Sequence, residues 1–281
     1  MYPPDFEYYR ANTMAEAVEL LQKHSGAYLL AGGHSLLPAM KLRLSSPAAL
    51  IDIGRIDRLK GISSENGAVR IGALTTHAQI AASSAVPSAL SEAAGMVGDP
   101  QVRNRGTIGG NIAHADPASD LPTVLVALGA TVHLVGPRGE RNVAAGDFFT
   151  GMFETAKAAD EIITAVSVPA GGSSAYAKLP NPASRYAVVG AAAVLQVEGG
   201  QCTAAGVAIG GLTPNATRCP SVEAALSGKA LNDESISAAA DAVTNDLPDD
   251  LIGDIHASEE YRRAMAAVYV KRALMKAAER A

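Results

Sequence analysis

Tryptophan is absent from this chain of 281 residues and phenylalanine occurs only four times, so no aromatic platform for stacking nucleic-acid bases is evident. Positive charge is not in excess either: 23 Lys and Arg stand against 28 Asp and Glu, a net charge of −5. A general nucleic-acid binder would show a basic excess or stripe. Only two cysteines are present, Cys202 and Cys219, and no histidine stands near them at ligand spacing. These are too few ligands for an iron–sulfur or zinc centre, and no disulfide framework follows from them. No uninterrupted apolar run reaches the ~18 residues that a membrane span needs. The opening Met1-Tyr2-Pro3-Pro4-Asp5-Phe6 lacks a basic region followed by an apolar stretch, so no secretory signal is expected. The expectation is a soluble, cytoplasmic protein with no nucleic-acid partner and no membrane span.

What is present is apolar residue and glycine. Hydrophobic residues make up 48% of the chain, enough to bury a real core, and the length fits one large domain or two ordinary ones. Of the 27 glycines, two adjacent pairs stand out, in Ala31-Gly32-Gly33-His34-Ser35-Leu36-Leu37-Pro38 and in Thr107-Ile108-Gly109-Gly110-Asn111. Glycine lets backbone N–H groups turn toward an anion with no Cβ in the way. Successive N–H groups form anion-holding nests, and a helix N-terminus adds partial positive charge. Two such loops in one domain point to a diphosphate gripped from two sides, hence a dinucleotide site. The second motif runs on through Ala115-Asp116-Pro117-Ala118-Ser119-Asp120-Leu121-Pro122. Carboxylates repel phosphate, so Asp120 is expected on hydroxyl groups such as those of a ribose or ribityl chain, or simply at the start of the following helix.

Along the chain, Thr13-Met14-Ala15-Glu16 has the form of a capping box, and Met14, Val18 and Leu21 repeat at helical spacing until Gly26. Tyr28-Leu29-Leu30 enters the first glycine loop as a strand, Leu36 to Leu44 reads as a helix with Pro38 in its first turn, and Ala49 to Ile53 as a strand. This β–loop–α–β order covers about 55 residues and forms a first subdomain. A hairpin is expected from Leu59–Ile62 to Val69–Ile71 around Asn66-Gly67. Helices are expected from the second capping box at Thr76 through Ala82, and over Ser88 to Val97. A polar loop then spans Gly98 to Gly106, followed after the second glycine motif by a helix over Pro122 to Leu128. Strands are expected at Thr131 to Val135, Asn142-Val143 and Glu161 to Val168. Pro169-Ala170-Gly171-Gly172-Ser173-Ser174 has boundary composition. Beyond it come strands at Tyr176 to Lys178, Ala191 to Val197 and Thr203 to Ile209, the last two antiparallel across Gly199-Gly200. Helices close the chain at Ser221 to Leu226, Ser235 to Thr244 and Ser258 to Arg280.

Taken together, the two glycine motifs and Ala115 to Pro122 resemble those of the FAD-binding medium subunits of molybdenum hydroxylases, the carbon monoxide dehydrogenase and xanthine dehydrogenase family. The resemblance covers essentially the whole chain. It implies an α+β fold: a two-subdomain FAD-binding domain of the vanillyl-alcohol oxidase type (PCMH type) over residues 1–173, divided near residue 55. A C-terminal domain over 174–281 follows, with a three-stranded antiparallel sheet and helices. It implies that Ala31, Gly32, Gly33, His34 and Ser35, with Thr107, Ile108, Gly109, Gly110 and Asn111, hold the diphosphate of FAD, largely through backbone N–H groups, and that Leu36 also belongs to the cofactor site. Asp120 matches the carboxylate on the ribityl hydroxyls, Lys178 a basic residue near the flavin, and Tyr186 an aromatic side chain close to the isoalloxazine. The arrangement implies electrons passing from a molybdenum-containing large subunit, through an iron–sulfur small subunit, to this FAD and on to an external acceptor. No catalytic residue and no metal ligand is assigned here.

Plainer roles exist for the same residues. Lys178 and Tyr186 could be a solvated lysine and an ordinary packed tyrosine. His34 and His114, beside the glycine motifs, fit loop-orienting hydrogen bonds better than acid–base work. Gly98 to Arg105 could contact an anion or simply pin the approach to the second motif. The final helix, with Arg262, Arg263, Lys271, Arg272 and Lys276, reads as a solvated face opposite a core face. Two rival functions share the fold class: a self-contained flavin oxidase or reductase, and a non-catalytic assembly subunit that binds no flavin. An ordinary Rossmann dehydrogenase is disfavoured because neither motif reads G-x-G-x-x-G.

Overall fold

The computed structural model describes residues 2–281; Met1, the first residue of the N-terminal stretch read above, lies outside them. Three sheets organise the chain. Strands β1 (Glu7–Arg10), β2 (Tyr28–Leu30) and β3 (Ala49–Asp52) form an all-parallel sheet in the order β1-β3-β2. Parallel neighbours need crossovers, supplied by helices α1 (Met14–Lys23) and α2 (Leu36–Lys41). Thr13 caps α1 by accepting from the Glu16 amide. The Glu16 carboxylate takes the amide of Asn12 instead of closing the reciprocal box on Thr13. The α1 side chains Ala17 and Leu21 pack with Ile51, Ile53 and Leu59 in this subdomain's core.

The second subdomain is built on a five-stranded antiparallel sheet in the order β4-β5-β10-β6-β7. It comprises the hairpin β4 (Ile62–Glu65) and β5 (Ala68–Gly72), the hairpin β6 (Thr131–Gly136) and β7 (Gly139–Ala144), and, after a short pair β8 (Phe149–Gly151) and β9 (Glu154–Thr155), the strand β10 (Ile162–Pro169). Asn66 and Gly67 both have positive φ, 51° and 77°, as a two-residue type I′ turn demands. The first hairpin strand starts later than the sequence reading, because Asp57–Leu59 forms a 3₁₀ turn. Between the hairpins run helices α3 (His77–Ala81), α4 (Ser88–Met96), α5 (Pro100–Arg103), α6 (Ile108–His114) and α7 (Asp120–Ala127), with α8 (Ala145–Phe148) after β7. At α3 the capping box is complete, Thr76 and Gln79 serving each other's backbone. Two expected loops contain helix: α5 lies within Gly98 to Gly106, and the second glycine motif is the first turn of α6, not a loop.

The third sheet joins β11 (Ser173–Pro180), β12 (Ala187–Glu198), β13 (Gln201–Gly210) and β14 (Thr217–Arg218), antiparallel in that order. It thus has a fourth, two-residue strand beyond the three expected. Both faces are covered. Tyr176, Ala192 and Ala208 belong to the core shared with α4, α6 and α7. Ala175, Ala191, Ala193, Val207 and Ile209 face helices α9 (Pro220–Leu226), α10 (Asp233–Asp241) and α11 (Glu259–Ala278). A sheet dry on both sides needs continuous apolar strands, which explains the unbroken run from Ala187 to Leu195. Every residue of α7 is buried, because it is wedged between the second subdomain and the third sheet. Its backbone approaches so closely that a Cβ on Gly206 would lie 2.2 Å from the Ala127 carbonyl oxygen. Among the described residues no helix is long and apolar enough to cross a membrane.

Candidate functional site

The strand β2 delivers the chain into Ala31 to Ser35, and α2 begins directly after. Gly33 stands at φ +73°, a left-handed conformation that costs an L-residue roughly 1–2 kcal/mol. Gly32, Gly33, His34, Ser35 and Leu36 donate to no acceptor among the described residues, so a run of five amides is free. His34 turns its Nδ1 to the Gly32 carbonyl oxygen at 3.0 Å, a hydrogen bond that braces the loop from within.

The second motif is differently engaged. Thr107 is the N-cap of α6 and accepts from the Gly110 amide at 3.2 Å. The Ile108 and Gly109 amides donate to the carbonyls of Thr75 and Ala73 at 3.0 and 2.8 Å. These bonds fasten the motif to the segment leading into α3; with the Gly110 amide on Thr107 Oγ1 and the Asn111 amide on the Thr107 carbonyl, four of its five amides are engaged. Gly109 has to be glycine, since a Cβ there would lie 2.6 Å from that of Ala73. The two motifs meet: a Cβ on Gly110 would sit 3.9 Å from that of Ala31, and one on Gly32 only 2.3 Å from the Arg105 carbonyl oxygen. Asn111 accepts from the Ser119 hydroxyl at 2.9 Å, which ties α6 to the loop that presents Asp120.

Asp120, the first residue of α7, is 3% exposed. The Tyr176 hydroxyl donates to its Oδ1 at 2.6 Å, and Lys178 Nζ donates to its Oδ2 at 2.8 Å. Burial pushes the Asp120 carboxyl up, and the Lys178 charge and Tyr176 hydroxyl oppose that push. The Lys178 side chain is 3% exposed and also reaches the Met96 carbonyl oxygen at 3.2 Å, so it is no solvated lysine. Tyr186, 45% exposed, lines a separate cleft of about 290 Å³ together with Asp116, Phe153 and Arg262. Partial burial, then the charges of Asp116 and Asp120, push its phenol up. His114 stacks on Phe153 with ring centroids 5.1 Å apart.

Two family models cover nearly all of this architecture. The FAD binding domain in molybdopterin dehydrogenase matches residues 4–171, and the CO dehydrogenase flavoprotein C-terminal domain matches residues 174–277. The chain belongs to the FAD-binding medium subunits of the carbon monoxide dehydrogenase and xanthine dehydrogenase family. It is 43% identical to the carbon monoxide dehydrogenase medium chain of Hydrogenophaga pseudoflava, over 98% of this chain and 97% of that one. The nicotine 6-hydroxylase medium subunit of Paenarthrobacter nicotinovorans is 36% identical over 99% of both. A solved chain of quinoline 2-oxidoreductase from Pseudomonas putida 86 superposes with a TM-score of 0.92 at 32% identity, covering 99% of each chain.

FAD is therefore this medium subunit's cofactor, and the residues present fit it. Five free amides and a left-handed glycine make an anion nest of the required kind, and the absent Cβ of Gly110 keeps open the space facing Ala31. Sequence reasoning missed Tyr176, although it placed the residue in the right strand. The signal was available: residues two apart in a strand share a face, so Ser174, Tyr176 and Lys178 had to point together. It also missed Glu92 on α4, whose Oε2 accepts from the Tyr176 amide at 2.9 Å, and Phe153 in the cleft of Tyr186.

Proposed function

We propose that this medium subunit is the electron-transfer flavoprotein of a molybdenum-containing hydroxylase, working in the cytoplasm beside an iron–sulfur small subunit and a molybdenum-containing large subunit. In this reading it takes electrons from the iron–sulfur subunit and passes them to an external acceptor. Residues 1–173 hold the cofactor and residues 174–281 form the C-terminal domain. The free amides from Gly32 to Leu36, in a loop whose first residue, Ala31, lies beside Gly110 of the second motif, carry this reading. Bound FAD supplies the redox chemistry, and the protein contributes binding, orientation and electrostatics.

Within that division, the first motif holds the diphosphate through its amides, and Thr107 and Asn111 add side-chain contacts from the second. Asp120 keeps lone pairs beyond those used by Tyr176 and Lys178 and offers them to ribityl hydroxyls. Lys178 balances its charge, and Tyr186 presents its ring from the cleft side. Cys202 and Cys219 are both buried, and burial pushes both thiols up. Thiols held protonated are poor cluster ligands, which supports placing the iron–sulfur relay on another chain. Relatives named for carbon monoxide, nicotine and quinoline share this architecture, which supports placing substrate choice outside this subunit.

The test is a visible spectrum of the purified chain with identification of the released flavin, after titration with FAD if the sample is colourless. About one equivalent of FAD, reduced by Gly33→Val or Gly110→Val, is the expected result. A folded chain that takes up no added FAD would overturn the reading and favour an assembly role.

A further inference from the structure

Tyr176 contributes a ring to the core and a hydroxyl to Asp120, and only the ring is needed for packing. It is fully buried among the apolar side chains shared by α4, α7 and the third sheet, where a phenylalanine would occupy the same space. A buried hydroxyl without a partner is costly, and this one has a single partner, Asp120 Oδ1. Space for it is made across the strand pair. A Cβ on Gly190 would lie 2.3 Å from the Tyr176 oxygen, and Gly190 pairs with Lys178 in the β11–β12 register. The tyrosine is also held from behind, because its amide donates to Glu92 Oε2 at 2.9 Å. Glu92 is gripped in turn by Lys276 at 2.9 Å and by Arg280.

We propose that Tyr176 is a positioning residue of the flavin site, which fixes the plane of the Asp120 carboxylate so that its remaining lone pairs meet the hydroxyls of bound FAD. A carboxylate with one donor on each oxygen cannot rotate without breaking one of the two bonds. The donor on Oδ1 belongs to Tyr176 and that on Oδ2 to Lys178, so both come from β11. The C-terminal domain thereby sets the geometry of a residue in the cofactor domain. This inference rests on reading Asp120 as a cofactor contact.

The experiment compares wild type, Tyr176→Phe, Asp120→Asn and the double variant in the full chain. Three quantities are measured: the FAD dissociation constant by fluorescence, the midpoint potential of the bound flavin, and the melting temperature. Tyr176→Phe is expected to weaken FAD binding roughly tenfold, the scale of one hydrogen bond to a charged group, and to make the potential more negative. In the Asp120→Asn background the same change is expected to have no further effect on either. A lower melting temperature with unchanged affinity and potential would reduce Tyr176 to packing and overturn the proposal. Equal effects in both backgrounds would also overturn it, since Tyr176 would then act without Asp120. If Asp120→Asn alone changes neither affinity nor potential, the fault lies instead in the reading of Asp120. Should Tyr176→Phe fail to fold, Gly190→Ala, which displaces the hydroxyl and keeps the tyrosine, is held to the same outcomes.

Discussion

The carbonyl oxygen of Arg105 lies 2.3 Å from the point a Cβ on Gly32 would occupy, so the first glycine motif touches the segment leading into the second where only a hydrogen fits. Gly32→Ala must push them apart. Overpacking of this kind costs about 1–3 kcal/mol, and here the displacement falls on the amide nest itself. Flavin content of the purified variant should drop sharply. Gly26→Ala is the control: Gly26 also has positive φ but faces open space. It should lower stability by about 1 kcal/mol and leave flavin content unchanged.

Lys178→Met removes the counter-charge of a buried carboxylate. Breaking a buried pair by deleting one partner costs about 3–5 kcal/mol, whereas replacing both with apolar groups is often neutral. Urea unfolding should show a large loss for Lys178→Met, much of it recovered in the double variant Lys178→Met/Asp120→Leu. FAD affinity should recover in neither.

His77 is buried beneath Gly106, with its Nδ1 unpartnered. Burial, aided by the Arg103 charge, lowers its pKa from 6.5 to about 4. As pH falls through that interval the unfolded chain takes up a proton that the folded chain refuses. Stability is therefore full above about pH 6.5 and declines toward pH 4, by about 3 kcal/mol in total. Chemical denaturation of His77→Leu at pH 7 and pH 4.5 should show a smaller difference between the two conditions than wild type.

Glu161 titrates lower. The bidentate hydrogen bonds from Arg141, at 2.6 and 2.7 Å, lead in holding its carboxyl down at about 2, against burial that would raise it. A depressed carboxylate contributes above its unfolded pKa of 4.5 and loses that contribution as pH falls toward 2. Arg141 is 43% exposed, so solvent screening reduces the pair to about 1 kcal/mol. Glu161→Gln should cost that much at pH 7 and nearly nothing at pH 2, measured by urea midpoints.

Much of the fold was written locally. Tyr28 to Lys41 could be read as strand, nest and helix because an apolar triplet, a glycine pair and a proline in the first helical turn each have one economical conformation. Strand β1 escaped because Glu7-Tyr8-Tyr9-Arg10 has neither a clean alternation nor an apolar run, and lies at a sheet edge. The second glycine motif reads locally as a loop because glycine is a poor helix former. Its helix exists because Gly109 must press against Ala73, a tertiary demand invisible in the local sequence. The partnership of Tyr176 with Asp120 spans 56 positions and depends on how β11 docks against α7. Local pattern could assign each residue to an element, but not join them.

The placement of α7 has a consequence for synthesis. The helix emerges from the ribosome well before the strands that enclose it, with every residue destined for burial. Its first carboxylate waits for Lys178. Glu92 waits longer still, for Arg280 just beyond α11. The cofactor domain accordingly cannot complete its native packing until β11 and α11 have been made. FAD retention becomes a report that β11 and α11 have closed on the cofactor domain.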